Sequence, residues 1–132
     1  RSDLIRVPGY EPGKEEATRF EIRSPDPACN PYLAFSVLLA AGLQGIEEKL
    51  QPPAPAEGNV YHMGDEKRNQ LGIGTLPGNL GDAIRTMESS DLVRKALGDH
   101  TFEVFLENKR REWDEFRKHV SEWEIQEYLP IL

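Results

Sequence analysis

The chain has 132 residues, a length that suits one domain with a moderate core. Its 23 acidic against 16 basic residues leave a net charge of −7, and no segment builds the continuous basic stripe that a general nucleic-acid binder needs. The single cysteine, Cys29, excludes an internal disulfide and a cysteine-based zinc site, and suits a reducing cytoplasm.

The sequence opens at Arg1 with neither an initiator methionine nor a signal-peptide pattern, so a piece of a longer chain is expected. Residues 4–7 (L-I-R-V) predict a short strand ended by Pro8 and Gly9. Residues 9–17 form a polar connection expected to be exposed and mobile. In residues 18–24, Phe20 and Ile22 alternate with Arg19, Glu21 and Arg23, the period-two pattern of a half-buried strand. The three charged side chains then share one face, about 7 Å between neighbours. By itself such a face is more commonly a solvated hairpin surface with weak cross-strand ion pairs. Its other reading is a carboxylate that holds a divalent cation between arginines that grip anions. Pro25 and Pro27 stop the strand.

Asn30 followed by Pro31 predicts a helix start, and residues 31–50 are apolar nearly all round for three turns. This helix is expected to be a buried spine for the hairpin and later helices. It contains Gln44 and two glycines and is not read as a membrane span. Cys29, between strand end and helix cap, is expected to be a buried, inert thiol. Residues 51–59 are a Pro-rich link, and residues 60–77 a loop without periodicity. Asn79 predicts a helix to about Ser89, Asp91 caps a short one ended by Gly98, and a long amphipathic helix from Thr101 should pack on the spine. Ser121 with Glu124 is a capping-box pattern for a last helix that Pro130 ends. The fold class is therefore α+β, an N-terminal β-hairpin followed by a mainly α-helical layer.

The run T-R-F-E-I-R-S-P-D-P-A-C-N-P-Y over residues 18–32 closely resembles the C-terminal catalytic segment of type I glutamine synthetases, whose signature has the form R-x-E-x-R-x-x-D-P-A-x-N-P-Y. The resemblance implies the C-terminal part of that catalytic domain, with residues 1–24 as a hairpin bearing site residues and residues 25–132 as the helical part. It implies ATP-dependent ligation of ammonia to glutamate through a γ-glutamyl phosphate, with Mg2+ or Mn2+, in a cytoplasmic homo-oligomer expected to be a dodecamer. Partners are then glutamate, ammonia and ATP, with neither nucleic acid nor membrane. The fragment alone is expected to be inactive.

By position, R-S-D-L-I-R-V-P resembles the family's N-R-S-x-x-I-R-I-P segment, which makes Arg1 the arginine that contacts glutamate and the nucleotide phosphates, and Arg6 one that contacts ATP. Arg19 matches a nucleotide-side arginine, Glu21 a metal ligand, and Arg23 the arginine that binds glutamate's carboxylate, where a planar fork favours Arg over Lys. Lys14 is a candidate for a further ATP contact. One carboxylate cannot hold a hard cation, which wants about six oxygens. His62, His100 and His119 show no ligand-pair spacing and read as surface histidines. Tyr61 lies where some bacterial members carry an adenylylated tyrosine, but its surroundings look more like the unmodified branches. The tail W-E-I-Q-E-Y-L-P-I-L resembles the segment that joins two rings in this family, and packing on its own domain is an equal reading. Two alternatives stand beside the synthetase: a γ-glutamyl ligase for a polyamine or other amine, and a non-catalytic structural relative.

Overall fold

A computed structural model describes residues 4–56 and 59–132. The order is an antiparallel hairpin followed by helices, the α+β arrangement expected. Strands β1 (Ile5–Arg6) and β2 (Glu21–Ile22) pair Ile5 with Ile22 and Arg6 with Glu21, and the Arg23 amide donates to the Leu4 carbonyl at 2.8 Å. Both strands are shorter than the alternation suggested. Phe20 is 63 % exposed, so the apolar side of the hairpin is not the covered surface its pattern predicts.

Among the described residues six helices follow: α1 (Pro31–Glu47), α2 (Asp65–Gln70), α3 (Leu80–Glu88), α4 (Asp91–Leu97), α5 (Asp99–Phe116) and α6 (Glu122–Tyr128). The side chain of Asn30 accepts from the Tyr32 and Leu33 amides, and Pro31 occupies the first turn, where its missing N–H costs nothing. Asn79 accepts from the Asp82 amide at 2.9 Å. The cap of α4 is Ser90 and not Asp91, which is the first helical residue. Ser121 and Glu124 complete the capping box in both directions. Beyond α6 a 3-10 turn over Leu129–Ile131 carries the chain past Pro130.

The surprise is α2. Residues 65–70 (D-E-K-R-N-Q) have no apolar face, but acids in the first turn and bases in the last complement the helix dipole, and Arg68 pairs with Asp65. Charge order supports this helix where hydrophobic periodicity is silent.

The buried core is small and lies late in the chain. Phe102 (0 % exposed), Leu106 (1 %) and Ile84 (7 %) are its buried members among the described residues, with Leu80, Met87, Val93, Leu97 and Trp113 packed around them. Helix α5 packs on α3 and α4, and α1 packs chiefly on α4. The expectation that α1 is a buried spine is therefore corrected. No residue of α1 is buried, and Tyr32, Phe35, Leu39, Leu43 and Ile46 are exposed, because α4 covers only one side of it. The long amphipathic helix uses α3 and α4 instead. Cys29 is exposed, in a turn where the Ala28 amide donates to the Asp26 carboxylate at 2.7 Å, so the buried-thiol expectation is also corrected.

One residue joins α4 to α5. Gly98, at φ 74°, ends the first and begins the second. Across this corner Arg94 pairs with Asp99 at 3.1 Å and Glu103 at 2.7 Å, and lies 4.2 Å from the Phe102 ring centroid.

Phe102→Ala should lower stability by about 3–5 kcal/mol, read as a fall in the urea or thermal midpoint. A Cβ on Gly81 would stand 2.8 Å from the Trp113 indole, so Gly81→Ala should cost about 1–3 kcal/mol in the same assay.

Candidate functional site

The hairpin gathers the charged residues that the sequence singled out. The register places Arg6 opposite Glu21, while Arg19 and Arg23 stand two residues either side of Glu21 and share its face. Three guanidiniums converge on one carboxylate. Arg6 Nη1 donates to both Glu21 oxygens at 3.0 Å, Arg19 Nη2 lies 3.5 Å from Oε1, and Arg23 Nη2 lies 3.6 Å from Oε2. Each partner is at least a third exposed apart from Glu21, which is slightly less so.

The Arg6 hydrogen bond is the main cause that holds the Glu21 carboxyl below the usual carboxylate range. Partial desolvation opposes it, and the charges of Arg6, Arg19 and Arg23 add to it. Glu21 is thus firmly ionised at neutral pH. With three cations and one anion the cluster carries a net positive charge, so it suits anionic ligands.

Sequence reasoning placed Arg19, Glu21 and Arg23 on one face, but it did not pair Arg6 with Glu21 and missed how Arg19 is held from behind. Its Nη1 donates to the Ala17 carbonyl at 3.1 Å. Ala17 ends a 3-10 turn, Glu15–Ala17, inside the connection expected to be exposed and mobile. Glu15 Oε1 accepts from the Tyr10 hydroxyl at 2.9 Å and from the Gly13 amide at 3.0 Å. The signal available was Glu15 two residues after a glycine, too short to be recognised. Lys14, considered for a nucleotide contact, pairs with Glu11 at 2.8 Å. Arg1 lies outside the described residues.

Among the described residues no three His, Cys, Asp or Glu side chains gather where they could hold a metal ion. Glu21 can offer one carboxylate, far short of the oxygens a divalent cation takes. The fit to Mg2+ or Mn2+ is therefore one ligand deep. His62, His100 and His119 are exposed, as expected, His62 standing edge-on to the Tyr61 ring at 5.3 Å between centroids. No helix among the described residues is long and apolar enough to cross a membrane.

Three comparisons bear on this geometry. The profile of the family described as "Glutamine synthetase, catalytic domain" matches residues 1–128. The chain is 50 % identical over 129 residues to a glutamine synthetase of Thermotoga maritima, covering 98 % of this chain and 29 % of that protein. It is 50 % identical over 131 residues to one of Mycolicibacterium smegmatis, covering 99 % and 29 %, and 49 % identical over 129 residues to one of Methanocaldococcus jannaschii, covering 98 % and 28 %. The chain thus spans less than a third of the length of these relatives. A solved structure described as "Apo GmaS without ligand" superposes with a TM-score of 0.78 at 33 % identity, covering 98 % of this chain and 28 % of that one.

Because Glu21 has a lowered folded-state value, its contribution to the hairpin is complete above the ordinary carboxyl value, near pH 4.5, and is lost as pH falls through the folded one. Exchange at the Arg23 amide should accelerate, after correction for intrinsic rates, below that pH. Glu21→Gln, which leaves three guanidiniums in mutual repulsion, should raise it at neutral pH by up to about fivefold, with the Phe102 amide unaffected.

Proposed function

Since the chain belongs to the family of the glutamine synthetase catalytic domain, we propose that it forms part of a glutamate–ammonia ligase, with residues 1–24 as a site-bearing hairpin and residues 25–132 as the helical part of the same domain. The supporting observation is the convergence of Arg6, Arg19 and Arg23 on Glu21 in a segment that carries the family's sequence pattern.

The reaction has two stages. Transfer of the terminal phosphoryl group of ATP to the γ-carboxylate of glutamate gives γ-glutamyl phosphate, and ammonia then displaces phosphate at the acyl carbon to give glutamine. The first stage concentrates negative charge, which fixed cations lower in energy. Arg6 and Arg19 serve the nucleotide side. Arg23 takes the carboxylate of glutamate, where two parallel N–H donors match two oxygens. Arg1 contacts both glutamate and phosphate. Glu21 would be one ligand of a Mg2+ or Mn2+ that would neutralise phosphate charge, with further ligands from outside the described residues. Arg6 holds both Glu21 oxygens, so an anion that draws Arg6 away uncovers the carboxylate, and substrate binding and exposure of this ligand are linked.

The active protein is a cytoplasmic homo-oligomer, a dodecamer in this reading, in which the apolar tail (Trp123, Ile125, Tyr128, Ile131) joins rings. The chain by itself is inactive, because it carries one metal ligand and part of a substrate site.

In the full-length enzyme Glu21→Ala should abolish turnover and weaken metal binding, and retained activity would sink the assignment. Arg23→Ala should raise KM for glutamate far more than KM for ATP. Phosphate release with ammonia, against a panel of amines and polyamines, separates a glutamine synthetase from a ligase for larger amines. Loss of nucleotide binding altogether would mark a non-catalytic relative.

A further inference from the structure

The connection between β1 and β2 is long and polar, and such tips are ordinarily mobile. Here it is tied at four points. The Lys14 amide donates to the Glu11 carbonyl at 3.1 Å, the Ala17 amide to the Lys14 carbonyl at 2.9 Å and the Thr18 amide to the Glu15 carbonyl at 3.0 Å. The fourth tie is the Glu15 side chain, whose Oε1 takes both the Tyr10 hydroxyl and the Gly13 amide. Gly13 sits at φ 84°, a conformation that side-chain-bearing residues rarely adopt. Backbone donors at Glu15 itself and Gly13, then the Tyr10 hydroxyl, hold its carboxyl below the usual range.

The turn fixed in this way ends on Ala17, and the Ala17 carbonyl accepts from Arg19 Nη1. Arg19 Nη2 faces Glu21 on the other side. An exposed arginine samples many rotamers unless it is gripped, and this one is gripped at both ends of its fork. We propose that Glu15, with Tyr10, is a positioning residue: it fixes the 3-10 turn whose Ala17 carbonyl aims the Arg19 guanidinium at the site. The inference rests on the reading of Arg19 as a nucleotide-side arginine.

Both bonds to Glu15 end on the same oxygen, so the position needs one acceptor atom and no charge. Glutamine provides that atom, and alanine does not. The test uses the full-length enzyme with Glu15→Ala, Glu15→Gln, Tyr10→Phe, Arg19→Ala and the double variant Glu15→Ala/Arg19→Ala, with KM for ATP and glutamate measured separately. Glu15→Ala should raise KM for ATP about five- to tenfold and leave KM for glutamate within about twofold. Tyr10→Phe should show a smaller rise of the same kind, Glu15→Gln should stay near the parent, and the double variant should be no worse than Arg19→Ala. If Arg19→Ala impairs ATP use but Glu15→Ala does not, or their effects multiply, the positioning role is overturned and the Arg19 assignment stands. An equal loss in Glu15→Gln and Glu15→Ala also overturns it, because a charge would then be required. If Arg19→Ala has no effect on ATP, the assignment of Arg19 falls and the positioning role falls with it.

Discussion

A helical layer is normally fastened by the apolar area it removes from water, and here that area is scarce. Phe102, Leu106 and Ile84 are the buried side chains among the described residues, all from α3 and α5. Conformational entropy opposes every ordered residue, so elements outside this small centre depend on local bonds. The sequence provides them. Asn30, Asn79, Ser90 and Ser121 each satisfy a backbone donor at the start of a helix. Helix α2, which has no side-chain cap, relies on its ordered charges.

The hairpin is the extreme case. Two residue pairs form its ladder, and it makes no extensive contact with the helices among the described residues. Besides the ladder, the Arg6–Glu21 pair links the strands, and Arg19 and Arg23 approach the same carboxylate from its own side of the hairpin. Exposed ion pairs are weak, and under the proposed function that weakness leaves the arginines able to turn from Glu21 to incoming anions. A tighter cluster would hold its own charges too well to exchange them.

Legibility in the sequence followed the range of the interaction. Caps are set by neighbours a few residues apart, and Asn30, Asn79 and the Ser121–Glu124 pair were readable directly. Period-two alternation put Arg19, Glu21 and Arg23 on one face. The direct pairing of Arg6 with Glu21 was hidden, because it depends on cross-strand register, which short strands specify weakly. The apolar girth of α1 suggested burial, but burial depends on what surrounds a helix, and α4 covers only part of it. Helix α2 escaped because hydrophobic periodicity says nothing about a helix made of charges. The Glu15 clip escaped because it joins residues that share no pattern. Family resemblance gave names to the arginines, but the hold on Arg19 is visible only in the fold.

The corner at Gly98 has a mechanical meaning. Helix α1 leans on α4, and α3 leans on α5, while α4 packs on α5 and sends Val93 and Leu97 to the core, so the direction of α1 relative to the core follows the corner at Gly98. The α4–α5 angle therefore acts as the pivot of a lever. With α1 about 25 Å long, a tilt of about 5° at the corner displaces its far end by about 2 Å. Arg94, clamped to Asp99 and Glu103 over the face of Phe102, is the brace that keeps this pivot from turning. A guanidinium in the helical layer thus sets the direction in which α1 leaves the core.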